Sequence, residues 1–197
     1  NMRIDLAILQ QWIQPKTRVL DLGCGSGSLL EALTTQKQVA GYGIEIDHAK
    51  ITRCIEKCVN VIQQNLDDGL SNFNDASFDT VVMSQTLQAV RYPDKVVEEM
   101  LRVGRECIVS FPNFGHWRCR LYLTLFGRMP VSKFLPYTWY DTPNIHFCTV
   151  DDFEQFCRTK NIRVLSRRYV AASRDDKRLS VLWPNMMSEM AIYRLTR

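Results

Sequence analysis

No apolar run in this 197-residue chain approaches the ~18 residues of a membrane-crossing helix. The opening NMRIDLAILQQ has no cationic stretch leading to a small-residue cleavage site. Neither a membrane span nor a secretory leader is expected, and Asn1 ahead of Met2 is set aside as foreign to the fold. The seven cysteines are odd in number and do not recur at zinc-ligand spacing. Cys54 and Cys58 stand four apart on an expected helix, but no second Cys/His pair accompanies them. No metal site is therefore expected, and reduced thiols in a cytoplasmic protein are the default. Internal repeats and low-complexity segments are also missing. A phosphate-binding loop would need a Gly-Lys-Ser/Thr ending, and no such triplet occurs. The dinucleotide pattern G-x-G-x-x-G would need glycine at position 28, which is Ser28.

What is present suits one α/β core. Apolar residues make up 46% and charged residues 23%, ordinary for a globular chain of this length. The net charge of +4 is unevenly spread: residues 2–101 carry nine Lys/Arg against thirteen Asp/Glu, and residues 102–197 carry sixteen against eight. The basic half raises nucleic acid as a partner. Its arginines are scattered through mixed-charge segments, however, so a solvated or protein-facing surface is expected instead.

Hydrophobic periodicity sets the organisation. RIDLAILQQWIQ places Ile4, Ala7, Ile8 and Trp12 at helical spacing, and Pro15 stops it. Strand-type runs then alternate with helices of roughly ten residues. The strands are RVLDL, VAGYGIEI, VNVIQQN, FDTVVMS and ECIVSF; the helices are SLLEALTTQK, HAKITRCIEKC and PDKVVEEMLRV. That alternation means βαβ units and a parallel sheet covered on both faces. The tail departs from it: after the helix VDDFEQFCRTKN, the strands IRVLSRRYVA and MAIYRL follow with no helix between. The expected fold is α/β, with five parallel strands and an antiparallel edge hairpin.

The segment RVLDLGCGSGSLL brings Gly23, Gly25 and Gly27 to the end of the first strand. With the phosphate-loop triplet absent and the missing third glycine weighing against a dinucleotide, G-x-G-x-G preceded by Asp21 suits a ligand without phosphates, chiefly a cationic amino-acid tail and a ribose. GYGIEID ends the second strand with Glu45, eighteen residues beyond Gly27. A carboxylate there can accept hydrogen bonds from both ribose hydroxyls of an adenosyl group. The alternative is a tight strand-helix turn with a surface glutamate.

VLDLGCGSG followed by GIEID resembles the first two motifs of class I S-adenosylmethionine-dependent methyltransferases. VIQQNLDDGL, FDTVVMSQTLQAV and LRVGRECIVSFPN are similar to their third to fifth strand segments. The resemblance implies a single Rossmann-like domain with a mostly parallel seven-stranded sheet, an antiparallel edge hairpin and helices on both faces. It also implies a site for S-adenosylmethionine or S-adenosylhomocysteine. Asp21, Gly23, Cys24, Gly25 and Gly27 would come from the first motif, and Glu45 and Ile46 from the second. Asn65 and Leu66 come from the third, with Asn65 where an Asp commonly meets the adenine amino group. Ser84 and Gln85 come from the fourth, near the methionine end. Downstream, IVSFPNFGHWRCRLYLTLFGRMPVSKFLPYTWYDTPNIHFCTVDDF resembles the signature of the methionine biosynthesis protein MetW family, and MRIDLAILQQWI fits the same family. That resemblance implies a cytoplasmic bacterial protein of methionine synthesis working with a homoserine O-acyltransferase of the MetX type.

Whether a methyl group is transferred stays open at this level. No Asn/Asp-Pro-Pro-aromatic motif follows the fourth strand, and no H-x-x-H suits metal-assisted methylation. The single domain, 2–197, divides into a cofactor half (2–113), a cap or insertion (114–150) and a C-terminal helix with hairpin (151–197). The middle part holds His116, Trp117, Tyr137, Trp139, Tyr140, Asp141 and His146, stiffened by Pro130, Pro136 and Pro143. Such a segment can roof an acceptor pocket, with His116, Tyr140 and His146 as catalytic candidates, or form a docking surface. In FGHWRCRLYLTLFGR, Phe114, Trp117, Leu121 and Leu125 recur at helical spacing beside Arg118, Arg120 and Arg128. A helix lying on the sheet is expected, with a docking helix as the alternative and a membrane-surface helix less favoured, because the stripe is short and the cations are few. Two functions remain: a binding module that supports or regulates the acyltransferase, or a methyltransferase acting on a small molecule.

Overall fold

The computed structural model describes residues 4–132, 134–171 and 180–197. Met2, Arg3 and Lys133, which belong to expected segments, lie outside them. The first half runs α1 (Ile4–Trp12), β1 (Arg18–Leu22), α2 (Ser28–Lys37), β2 (Ala40–Glu45), α3 (His48–Glu56), β3 (Asn60–Gln63) and β4 (Phe78–Ser84). Then come α4 (Pro93–Val103), β5 (Gly104–Pro112), α5 (Trp117–Phe126), α6 (Val150–Thr159), β6 (Arg163–Val170) and β7 (Met190–Thr196). A one-turn helix, Pro184–Met187, precedes β7.

The seven strands form one sheet in the order β3-β2-β1-β4-β5-β7-β6. Strands β1 to β5 pair in parallel. The last strand, β7, runs antiparallel to both β5 and β6. The final two strands thus make the expected hairpin, but the later one slots in beside β5 and leaves β6 at the edge.

The strand period of two divides the core into two layers. Leu20, Val81, Met83, Val109, Phe111 and Tyr193 face one side, packing with Val97 and Met100 of α4 and Phe153 of α6. Their chain neighbours Val19, Val82, Ile108 and Ile192 face the other, against Leu9 of α1, Ile13 just after it, and Leu29, Leu30 and Leu33 of α2. Both faces are covered, so the parallel strands read as continuous apolar runs. Helix starts are set by local chemistry. Asp47 caps α3 by accepting from the amides of Ala49 and Lys50, and Thr149 and Asp152 form a reciprocal capping box on α6.

Two helices depart from expectation. Along α1 and the residue after it, the fully turned-in stripe is Asp5, Leu9 and Ile13, whereas Ala7, Ile8 and Trp12 are only half-buried. An acid heads the buried stripe, which is why counting apolar residues selects the neighbouring face. In α5 only Cys119 is buried, and Leu121 and Leu125 are exposed. The expected stripe therefore does not lie on the sheet.

Candidate functional site

The order β3-β2-β1-β4 reverses direction of winding at β1, so the carboxyl ends of β1 and β4 splay their following loops apart. Ligands of open α/β sheets bind in that crevice. Here it is a cleft of about 570 Å³, within the size range of small-molecule sites.

Each loop glycine has a different reason to be glycine. All three have positive φ, at 74°, 58° and 72° for Gly23, Gly25 and Gly27. A Cβ on Gly23 would stand 2.6 Å from Thr86 Oγ1, and one on Gly27 would stand 3.1 Å from Cys54 Sγ. A Cβ on Gly25 would meet nothing within 4 Å, and Gly25 lines the cleft. Of the two glycines that line the cleft, Gly23 and Gly25, only Gly25 has open space where a Cβ would stand; Gly23 and Gly27 let protein pack closely.

Glu45 holds this loop. Its side chain is 7% exposed. One carboxylate oxygen accepts from the Gly25 amide at 2.9 Å. The other accepts from the amides of Ile46 at 2.9 Å and Asp47 at 3.1 Å. The amides of Gly23 and Cys24 meanwhile donate to the Ile44 carbonyl at 2.9 and 3.0 Å, tying the loop across to β2. From beneath, the Cys54 thiol donates to the Gly25 carbonyl at 3.2 Å, and its sulfur lies 4.0 Å from that of Cys24. Burial pushes both thiols up, Cys24 strongly, with the Asp21 carboxylate adding to the rise there. Both stay protonated at neutral pH, as a donating thiol must. Cys58, beyond the end of α3 with φ 55°, is exposed.

Of the residues that sequence reasoning assigned to the cofactor, Gly23, Gly25, Glu45, Ile46, Asn65, Leu66, Ser84 and Gln85 line the cleft. Asp21, Cys24 and Gly27 stand behind it; Asp21 and Cys24 are buried. The Asn65 side chain accepts from the Asp67 amide at 3.1 Å and so caps the turn Leu66–Asp68. The Asp67 carboxylate in turn accepts from the amides of Arg91 and Tyr92 at 2.8 and 3.3 Å. Gln85 has φ 54°, and its amide donates to the Ser110 carbonyl at 2.9 Å. A strained backbone therefore closes the β4 side of the cleft.

Asp5 was not anticipated. Its carboxylate, buried under α1, accepts from Ser84 Oγ at 3.1 Å and from Gln85 Nε2 at 3.2 Å. The first helix thereby orients the polar pair Ser84 and Gln85 at the end of β4. Asn113 likewise carries no motif of its own in the sequence. Its buried amide oxygen accepts from the backbone of Gly115 and Val150 at 3.0 and 3.2 Å. Its amide nitrogen donates to the carbonyls of Asn185 and Ser188 at 2.9 and 2.8 Å. One side chain thus fastens both ends of the 114–149 segment and the turn before β7. A single Asn after a strand reads in sequence as turn chemistry, which hides this role.

The 114–149 segment does reach the cleft, through Phe134, Pro136, Tyr137, Pro143 and Asn144. The Gln88 carbonyl anchors it by accepting from the amides of Ile145 and His146 at 2.8 and 3.0 Å. The three catalytic candidates lie elsewhere. His116 is buried at the head of α5, where its Nδ1 accepts from the Arg118 amide at 3.3 Å. Tyr140 is exposed, edge-on to Trp139. His146 Nε2 lies 3.3 Å from the Arg91 carbonyl, so that nitrogen carries the hydrogen; the ring borders a separate apolar hollow with Leu87, Phe153 and Phe156.

The family described as methionine biosynthesis protein MetW matches residues 3–195. The chain is 33% identical over 171 residues to the bifunctional methionine biosynthesis protein MetXA/MetW of Rhodopirellula baltica, covering 82% of this chain and 27% of that protein. It thus spans about a quarter of that relative's length. Among solved structures, a SAM-dependent methyltransferase from Archaeoglobus fulgidus superposes with a TM-score of 0.71 at 14% identity, covering 98% of this chain and 91% of that one. The [4+2]-cyclase SpnF superposes with a TM-score of 0.67 at 17% identity, covering 98% and 79%. These two likenesses establish the fold alone.

Proposed function

We propose, from the premise that the chain belongs to the methionine biosynthesis protein MetW family, that it is a S-adenosylmethionine- or S-adenosylhomocysteine-binding accessory protein. Its client is a homoserine O-acyltransferase of the MetX type, in the cytoplasm. The fold is that of S-adenosylmethionine-dependent methyltransferases. No helix among the described residues is long and apolar enough to cross a membrane.

The observation that carries the reading is the Gly25–Glu45 pair. An open backbone cradle stands beside a carboxylate at the cleft wall. Two carboxylate oxygens provide roughly four acceptor sites, and three backbone amides use three of them, so room remains for a ribose hydroxyl. Gly23 and Gly25 would border the methionine end, and Asn65 and Leu66 would hold the adenine. Ser84 and Gln85, fixed by Asp5, would orient the amino-acid tail. When bound, S-adenosylmethionine supplies an electrophilic methyl group on a sulfonium.

Removing a proton from an acceptor needs a base within reach. Among the described residues the two carboxylates lining the cleft, Glu45 and Asp67, already serve backbone amides, and the histidine candidates lie away from it. That supports binding over turnover, and the methyltransferase fold does not by itself commit the chain to methyl transfer. The fused relative, named as MetXA/MetW, supports the acyltransferase as client. The second reading, an active methyltransferase, is favoured by Tyr137, whose side chain borders the cleft. Calorimetric titration with both nucleosides tests the ligand. Binding with a Kd of about 100 μM or tighter is expected, and no heat with either would overturn it. Incubation of the saturated protein with candidate acceptors separates the two readings.

A further inference from the structure

We propose that the outer surface of α5, residues 121–126, is the seat of the acyltransferase, and that the patch it meets is apolar with an acidic rim. This rests on the reading of the chain as an acyltransferase accessory protein. A helix that is apolar all round belongs inside a core, and contiguous exposed apolar surface marks an interaction site. On α5, Leu121, Tyr122, Leu123, Leu125 and Phe126 are all exposed, Leu125 at 65% and Phe126 at 63%. Five neighbouring positions cover more than one face of the helix, so nothing within the described chain absorbs them.

The helix is nevertheless firmly placed. Arg120 Nε donates to the Gly115 carbonyl at 2.6 Å, and Gly115 is fixed by Asn113. His116 caps the start, and Gly127, with φ 60°, closes the end by donating to the Leu123 carbonyl. Tyr122 and Phe126 pack ring to ring with centroids 5.0 Å apart. A surface ordered before binding loses little entropy on docking. The same Asn113 also fixes the turn Pro184–Met187, whose approach exposes Leu182 and Trp183.

Charge and covalent linkage choose the occupant. Arg118, Arg120 and Arg128 border the apolar residues, and the helix carries no Asp or Glu. Two copies pairing by α5 about a two-fold axis would set arginine against arginine. An interfacial lipid helix keeps its apolar residues on one face and its cations on the other, which α5 does not. A partner with acidic groups around an apolar patch meets both features. In the Rhodopirellula baltica protein, named MetXA/MetW, the matched region is 27% of one polypeptide. Tethering of that kind turns docking into an intramolecular event.

The test is sedimentation and titration of the full chain with purified MetX-type acyltransferase, comparing wild type, Leu125→Arg with Phe126→Arg, and Ile55→Arg. Ile55 is an equally exposed apolar residue on α3, which packs on β3. We expect the double variant to bind the acyltransferase at least ~30-fold more weakly, with unchanged affinity for S-adenosylhomocysteine. Ile55→Arg should bind as wild type does, and added salt should weaken the wild-type complex. If wild type binds and the double variant binds equally, the α5 assignment is overturned while the accessory reading stands. If wild type does not bind the acyltransferase at all, the accessory reading falls first. Self-association, or binding to anionic phosphatidylglycerol vesicles, that the double variant abolishes would also overturn the assignment.

Discussion

The Glu45 carboxylate accepts the Gly25 amide at 2.9 Å, so the residue proposed to meet the ribose also shapes the loop proposed to meet the methionine end. Glu45→Ala therefore removes a ligand acceptor and frees three backbone donors. Hydrogen bonds to charged groups contribute ~1.5–3 kcal/mol each. Affinity for S-adenosylhomocysteine should fall at least ~10-fold by calorimetry. Equal affinity in the variant would remove Glu45 from the site.

Gly25 and Gly23 should separate binding from folding. Gly25→Ala meets no neighbour within 4 Å, and its strained left-handed backbone costs ~1–2 kcal/mol. Its larger effect should be on ligand affinity, and Gly25→Val should be worse on both counts. Gly23→Ala forces a Cβ to 2.6 Å from Thr86 and should lower the unfolding midpoint more than Gly25→Ala does. Thermal melts beside titrations would expose the reverse order.

Asn65→Asp keeps an acceptor for the Asp67 amide and offers an ionised one to an adenine amine, the stronger kind of hydrogen bond. Binding equal to wild type or somewhat tighter is expected. Asn65→Ala should lose the cap, at ~1 kcal/mol of stability, together with affinity. A tenfold loss in the Asp variant would show that like charge from Asp67 and Asp68 outweighs the better acceptor.

Asn113→Ala leaves two amides and two carbonyls at the ends of the 114–149 segment without their partner. Each buried unsatisfied group costs ~1–3 kcal/mol, so denaturant melts should show a loss of about 3 kcal/mol or more. Asn113→Asp retains the acceptor and loses the donors, and should fall between. A loss under ~1 kcal/mol would mean that water replaces these bonds.

Thiol reactivity should follow burial. Burial raises Cys157 to about 11 and Cys148 to about 12, and pushes Cys24 and Cys107 higher. A raised value keeps the thiol protonated at pH 8, and only the thiolate attacks. Mass spectrometry after brief alkylation should find Cys58 modified first. Early labelling of Cys24 would show that the glycine loop opens readily.

The alternation of strands and helices was legible because each element announces its own period, and the glycine loop and Glu45 were legible because their spacing is short-range. The place of β7 between β5 and β6 was not, since strand order after a long connection is decided by packing. Asp5 is hidden in the sequence because an acid at the head of the Leu9–Ile13 stripe spoils an apolar count. The stripe of α5 is legible in the spacing, but its outward direction is not. Spacing identifies an apolar helix face, and only the surrounding chain reveals whether anything covers it.

The most direct test of the central claim is the acyltransferase rate measured with and without equimolar chain, at zero and saturating S-adenosylmethionine. The chain should change that rate, and the nucleoside should alter the size of the change, because a ligand shifts partner affinity only by binding docked and free states differently. An acyltransferase rate indifferent to the chain, together with conversion of S-adenosylmethionine to S-adenosylhomocysteine on a defined acceptor at ~1 s⁻¹ or faster, would contradict the account and make the chain an enzyme.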